Sequence, residues 1–384
     1  MKKMMLGLIS FCLLMNGYML PIQATEIDLA PNAKSAYLME FNSGKVIFAK
    51  KETDRLYPAS MTKMMGLLLI YEAINKGNIK VSDEVITSEL AASMGGSQVF
   101  LEVNERMKVS DLLKAICIAS ANDAMVAMGE KIAGSNEHFV NQMNEKASTL
   151  KLSNTHFQNA SGLHDPQHYS CAKDMAMIAR QLLKTGGKAL LAITSKYDAY
   201  IRENSDKKFW LVNTNKLLKQ YPGVDGLKTG FTQEAKSCIT LTAKRNHVRL
   251  ISVVMGEANA KIRNSESKQL LDYGFSLFVS ELYLPKNKLI KQLKFDNGKP
   301  QSANLRCKDD VIAIIEKGKT SKEIKRTITL LNQSLPYKKG KIIASLKIKM
   351  QNGTSIQAPL YIDHKIEPLN YKDILLKSFI KILT

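Results

Sequence analysis

Three short motifs follow one another along the chain: Ser60-Met61-Thr62-Lys63, Ser120-Ala121-Asn122 and Lys228-Thr229-Gly230. Together they supply a hydroxyl nucleophile, two amines and a second hydroxyl. Acyl transfer through a serine ester needs that set, and no His–Asp pair is required where a lysine is the base. Each motif alone carries little. Lys-Thr-Gly recurs at Lys184-Thr185-Gly186 and Ser-Ala-Asn at Ser302-Ala303-Asn304, while Ser-x-x-Lys recurs at Ser148/Lys151, Ser170/Lys173 and Ser265/Lys268. Order and structural setting must decide.

Ser60 and Lys63, three residues apart, share one face of a helix. Pro58 suits its first turn, and the apolar run from Met61 to Ala73 predicts burial of the rest. Ser60 is then expected at a helix N-terminus, where free N–H groups and the dipole favour developing negative charge, and its own N–H can join an oxyanion hole. A free lysine titrates near ~10.4, so Lys63 must be depressed by burial and a second cation, for which Lys228 is the candidate. Ser120 and Asn122 fall at a break between two helices. Ser120 can relay a proton between the leaving amine and Lys63, and Asn122 can hold Lys63 or a substrate amide. Lys228-Thr229-Gly230 precedes a strand. Gly230 would let a substrate backbone approach, Lys228 and Thr229 would take a carboxylate, and the Phe231 N–H would be the second oxyanion donor. Lys184-Thr185-Gly186-Gly187 reads instead as a helix C-cap, and Ser302-Ala303-Asn304 lies in a polar region after the third motif.

The elements that must position these groups are partly visible. Ala36–Phe41 and Val46–Ala49 read as a hairpin across Asn42-Ser43-Gly44. Helices are predicted over 61–73, 112–119 with Ser110-Asp111 as N-cap, 123–133, 137–151, 173–183 and 265–278. Strands are predicted over 238–243 and 248–255. Near Tyr283-Leu284-Pro285 the chain turns lysine-rich, with short alternating runs and a hairpin signal at Asn352-Gly353. The expected organisation is a catalytic domain over 25–284, a small all-β domain over 285–367 and a terminal helix over 368–384.

The ends bear on location. Lys2-Lys3, the apolar run Met4–Met15 and Ile22-Gln23-Ala24 have the layout of a signal peptide cut after Ala24; left uncut, the run would be an anchor. The formal charge of +20 falls by two lysines on cleavage. A chain so basic favours anionic surfaces. Export argues against nucleic acid and leaves membrane and cell wall, although lysines merely solvated all round would give the same sum. From Tyr371 to Leu383, apolar residues cover a broad helical arc opposite Lys377, Lys381 and Asp373. The segment suits the membrane interface rather than a span; docking on its own protein is the alternative. Cys12 leaves with the signal, and the remaining Cys117, Cys171, Cys238 and Cys307 show neither zinc spacing nor a pattern requiring a disulfide.

With Tyr57-Pro58-Ala59-Ser60-Met61-Thr62-Lys63 as its lead motif, the chain resembles the serine-type D-alanyl-D-alanine carboxypeptidases, the low-molecular-mass penicillin-binding proteins. The match extends through Ser120-Ala121-Asn122-Asp123-Ala124, Asn159-Ala160-Ser161-Gly162-Leu163, His168-Tyr169-Ser170 and Gly223-Val224-Asp225-Gly226-Leu227-Lys228-Thr229-Gly230. The resemblance implies a β-lactamase/DD-peptidase-like α/β fold, with an antiparallel sheet between helices. It also implies removal of the terminal D-alanine from the peptidoglycan stem pentapeptide. Ser60 would form the acyl-enzyme, Lys63 would be the base, Ser120 the proton shuttle and Lys228 the substrate-binding cation; β-lactam antibiotics would acylate Ser60. No metal or cofactor is needed. A D,D-endopeptidase, a transpeptidase, a β-lactamase or a non-catalytic wall scaffold are the rivals. Three positions depart from the pattern: Lys236 where many members carry Gly, Asn104 at a usual turn Gly, and Thr214 where some carry Arg. Asp174 and His168 are expected to be structural.

Overall fold

The computed structural model describes residues 28–375 except 321, 332, 333 and 352. The expected signal peptide lies outside the described residues, as does the terminal helix beyond residue 375; residues 371–375 are helical.

The site is carried by a five-stranded antiparallel sheet. Its strands are β1 (Ser35–Glu40), β2 (Val46–Lys50), β3 (Val224–Thr232), β4 (Lys236–Arg245) and β5 (Val248–Glu257), in the order β2-β1-β5-β4-β3. The run Ser-Ala-Tyr-Leu-Met-Glu of β1 is buried throughout because both faces of the sheet are covered. Successive side chains point to opposite faces. Tyr37 and Met39 therefore join one apolar cluster, and Ala36 and Leu38 the other. β3 is left as an edge strand whose free side faces the motifs.

The helices on the motif side are α1 (Lys63–Asn75), α2 (Val109–Lys114), α3 (Asn122–Ala133), α4 (Asn136–Thr149) and α5 (Ala172–Thr194); α6 (Ala260–Leu277) covers the opposite face. α1 buries ten of its residues from Lys63 to Ala73, which explains its nearly unbroken apolar sequence. Several boundaries differ from the sequence reading. The first helix is preceded by a 3₁₀ turn over Ala59–Thr62. α2 begins at Val109 after Lys108, with no side-chain cap, so Ser110-Asp111 is not its N-cap. α6 starts five residues before Ser265, because the Asn259 side chain caps it by accepting from the N–H groups of Lys261 and Ile262. Lys184-Thr185-Gly186-Gly187 ends the first of two helices that meet within the α5 span: Gly187, with φ +47° and ψ −132°, breaks the helix, as a C-cap does.

Beyond α6, β6 (Phe278–Leu284) pairs with β9 (Val311–Glu316). β7 (Leu289–Lys294), β8 (Ser302–Cys307), β10 (Glu323–Leu330), β11 (Ile342–Met350) and β12 (Ser355–Ile362) form a second five-stranded sheet, ordered β7-β8-β12-β11-β10. Leu305, Leu346, Ile348, Leu360 and Ile362 build its core. By pairing, β6 belongs to this β-rich part although it precedes residue 285. The second Ser-Ala-Asn lies in β8, remote from the other motifs in the sheet order. Among the described residues no helix is long and apolar enough to cross a membrane.

Candidate active site

The first motif sits where the chain enters α1. Ala59 adopts φ +47°, and Ser60 follows in the 3₁₀ turn rather than in the α-helix itself. One turn on, Lys63 is completely buried, its Nζ 2.8 Å from Ser60 Oγ and 2.7 Å from the Ser161 carbonyl oxygen. Burial holds the Lys63 amine well below the usual lysine range; the charge of Lys228 pushes the same way, opposed by Asp123. A neutral amine in hydrogen-bond contact with a serine hydroxyl can accept its proton.

Between α2 and α3 the backbone widens into a π-helical turn, Ala115–Ala119, and ends at Ser120 with φ +66°. Such turns allow a side chain to be aimed out of a helix. Ser120 Oγ accepts from Lys228 Nζ at 2.8 Å. Burial, together with Arg263, lowers Lys228 to about 8. Two lysine–serine pairs thus lie at the β3 edge, with the Lys63 amine pushed well below the usual lysine range and Lys228 lowered to about 8.

Asn122 donates from Nδ2 to Gly95 O at 2.6 Å. That contact fixes the amide orientation and leaves Oδ1 buried without a partner among the described residues. Of the two roles expected for Asn122, holding Lys63 has no hydrogen bond to support it among the described residues. Thr229 donates from Oγ1 to Thr214 Oγ1 at 2.7 Å, so the residue that stands where some relatives carry Arg contacts the third motif. Gly230 differs from expectation. A Cβ there would come 2.8 Å from Pro58 O and 3.3 Å from Ser60 N. Its missing side chain therefore admits the protein's own nucleophile turn, not a substrate backbone. Phe231 stands next in the strand with its ring exposed.

Sequence reasoning left the Asn159–Leu163 motif without a role. Asn159 Oδ1 accepts from Gly162 N, Leu163 N and Ser161 Oγ. This turn aims the Ser161 carbonyl at Lys63. Gly162 has φ +83°, and a Cβ on it would fall 1.9 Å from Ala59 O. Gly162→Ala is expected to destabilise the fold by about 3 kcal/mol through combined backbone strain and overlap, read as a lower thermal midpoint. The run Asn-x-Ser-Gly was the available signal, because an Asn side chain can accept from backbone N–H groups a few residues on while Gly supplies the positive φ of a tight turn. Asp123 was also missed. It accepts from the N–H groups of Val99 and Leu101 and so ties that loop to the start of α3.

His168 and Asp174 are structural, as expected. His168 Nδ1 accepts from Gln158 N, so Nε2 carries the hydrogen and donates to Thr62 Oγ1 at 2.7 Å. Burial lowers His168 to about 4, which keeps it neutral. Asp174 accepts from Asn154 N and Thr155 Oγ1. Asn104 adopts φ +64° at its turn, and Lys236 adopts φ +56° where Gly is usual. The four cysteines of the described chain are buried free thiols.

A serine held by a buried lysine at the head of a helix, beside an edge-strand lysine that holds a second serine at a helix break, defines a serine acyl-transfer enzyme. Residues 22–259 match the family described as D-alanyl-D-alanine carboxypeptidase (Peptidase_S11), and residues 278–368 match the penicillin-binding protein 5 C-terminal domain. D-alanyl-D-alanine carboxypeptidase DacF of Bacillus subtilis is 47% identical over 334 residues, 87% of this chain and 85% of that protein. DacA of Escherichia coli K12 is 33% identical, covering 88% and 85%. The crystal structure of penicillin-binding protein 5 from Haemophilus influenzae superposes with a TM-score of 0.63 at 33% identity, over 88% of this chain and 98% of that one. The chain belongs to the serine-type D-alanyl-D-alanine carboxypeptidase family and has its mixed α/β fold with a C-terminal β domain.

Proposed function

We propose that this enzyme removes the terminal D-alanine of peptidoglycan stem pentapeptides through an acyl-enzyme on Ser60. The observation that carries the reading is the pair of contacts Lys63–Ser60 and Lys228–Ser120 at one strand edge. The peptide lies along β3 as an added strand, with its carboxylate on Lys228, Thr229 and Thr214. Neutral Lys63 takes the Ser60 proton as Oγ attacks the penultimate carbonyl. The N–H groups of Ser60 and Phe231 receive the oxyanion, and Asn122 Oδ1 holds the substrate amide. Ser120 passes the proton from Lys63 to the departing D-alanine amine. Water then attacks the ester with Lys63 again as base, restoring Ser60. β-Lactams acylate Ser60 by the same attack. Among the described residues no glutamate hydrogen-bonds Ser60 or Lys63, which favours slow release of that adduct.

The working place is the extracytoplasmic face of the membrane. The N-terminal pattern supports export with removal of residues 1–24, and the Tyr371–Leu383 stripe supports peripheral attachment through the terminal helix. The catalytic domain covers about 25–277, and the β domain runs from β6 to about 367. The test is product analysis on a pentapeptide and a cross-linked dimer side by side. Free D-alanine from the pentapeptide with the dimer intact is expected. Faster cutting of the dimer would establish an endopeptidase instead, and release of a penicillin label within seconds a β-lactamase.

A further inference from the structure

One face of the second sheet is basic and exposed. Along β11 the side chains alternate. Leu346, Ile348 and Met350 enter the core, while Lys347 and Lys349 point the other way into solvent. The register sets Thr327 of β10 opposite Lys347, and Lys325 opposite Lys349. On the other flank β12 places Gln357 opposite Lys347 and Ser355 opposite Lys349. Lys347 and Lys349 stand about 7 Å apart at strand rise, and the Cβ atoms of Lys325 and Lys349 about 5 Å apart. Three ammonium groups thus share one patch with hydroxyls and an amide.

Among the described residues none of the three lysines is ion-paired. The neighbouring acids are engaged elsewhere. Glu323 holds Arg326 and accepts from Tyr283, and Asp363 holds Arg306 and Asn304. Asp309 and Asp310 line a cavity beside residues 355–359, together with Lys244 and His247. Like charges directly opposite on a sheet repel and cost stability. Lysine on an edge strand guards against stray strand pairing. That accounts for Lys325 on β10 but not for Lys347 and Lys349, because β11 is an interior strand. A bound anion relieves the repulsion.

The residue types narrow the anion. Ammonium groups act as point charges and suit phosphate, whereas planar carboxylates favour the guanidinium fork. The arginines of this sheet, Arg306 and Arg326, are already taken by Asp363 and Glu323. The placement of the face narrows the partner. β12 runs from Ser355, beside the catalytic domain's Asn42 and His247, to Ile362, after which the chain leads to helical residues 371–375. A bilayer met by the terminal helix touches that far end of the sheet. A linear polymer can lie across the face itself.

We propose that Lys325, Lys347 and Lys349 form a docking face for a linear extracytoplasmic polymer with phosphodiester repeats, which holds the enzyme in the wall independently of its active site. The location of the polymer rests on the export reading; the binding does not depend on the proposed reaction.

The test measures binding of the mature full-length chain to synthetic poly(glycerol phosphate), with polyglutamate of equal charge and anionic phospholipid vesicles as comparisons. Affinity for poly(glycerol phosphate) is expected to fall with salt, with a log–log slope of about 2 for three contacts. Lys325→Gln/Lys347→Gln/Lys349→Gln is expected to weaken it about tenfold. Lys76→Gln/Lys80→Gln/Lys131→Gln removes the same net charge from exposed positions of the catalytic domain and is expected to weaken it by less than about twofold, since distant charges are screened. Unchanged D-alanine release from a small pentapeptide certifies that both variants are folded. Should the first not fold, Lys349→Gln stands in: its thermal midpoint is expected to rise as the repulsion with Lys325 is relieved, and its affinity to fall about threefold. Equal losses in the two triple variants would show attraction by net charge alone and overturn the face. Tighter binding of polyglutamate, or a loss confined to the vesicles, would overturn the phosphodiester polymer as its partner.

Discussion

Ser60→Ala abolishes both D-alanine release and covalent penicillin labelling, and Lys63→Met lowers each by about 10³–10⁴-fold. Methionine preserves the length and apolar stem of the lysine, and the site is already buried, so the fold has little to lose. What disappears is the group 2.8 Å from Ser60 Oγ that can take its proton. Because nucleophile and base act as a unit, the double variant is no slower than Ser60→Ala alone. Single-turnover release and mass detection of the acyl adduct check this. If Lys63→Met keeps activity within tenfold of the wild type, the base must be sought at Ser120 and Lys228.

The pH dependence of kcat/KM is bell-shaped, and Lys228→Gln alters both limbs. The rate rises with pH as Lys63 loses its proton, because only the neutral amine accepts one. That limb lies well below the free-lysine range since burial and Lys228 both disfavour the charged form. The rate falls as Lys228 loses its own proton at about 8, since the neutral form no longer attracts a carboxylate. Lys228→Gln removes the alkaline limb. It also relieves Lys63 of a neighbouring cation, so the acid limb moves to higher pH. Loss of the substrate's buried partner, and of the donor to Ser120, costs about 10²–10³-fold at neutral pH. A variant whose acid limb stays in place would show that the two lysines are not electrostatically coupled.

Legibility in the sequence followed the range of the interactions. The β1–β2 hairpin, α1, α3 and the β4–β5 pair were readable because each is written in a local period of apolar residues and bounded by turn residues. The misreadings are non-local or depend on caps: the start of α6 at Asn259, and the assignment to the catalytic domain of β6, which pairs with β9 across an intervening hairpin. Gly230 was assigned to the substrate because its neighbour, the Pro58–Ser60 turn, lies some 170 positions earlier in the chain.

The kit itself was fixed by residue types and local spacing: Ser60 and Lys63 one helical turn apart, Ser120 and Asn122 at a helix break, Lys228 and Thr229 expected just before a strand; the structure sets the last pair inside β3 instead. No local pattern could state that Lys228 would reach Ser120 rather than the nucleophile. Nor could it show that the Ser161 carbonyl would hold Lys63, or that Thr214 would partner Thr229. These contacts join segments 15 to 108 residues apart. Only packing of the helices against the β3 edge brings them within hydrogen-bond distance. The same burial that aligns the two lysines sets their proton affinities, since desolvation depends on the whole surrounding structure and not on neighbours in the chain.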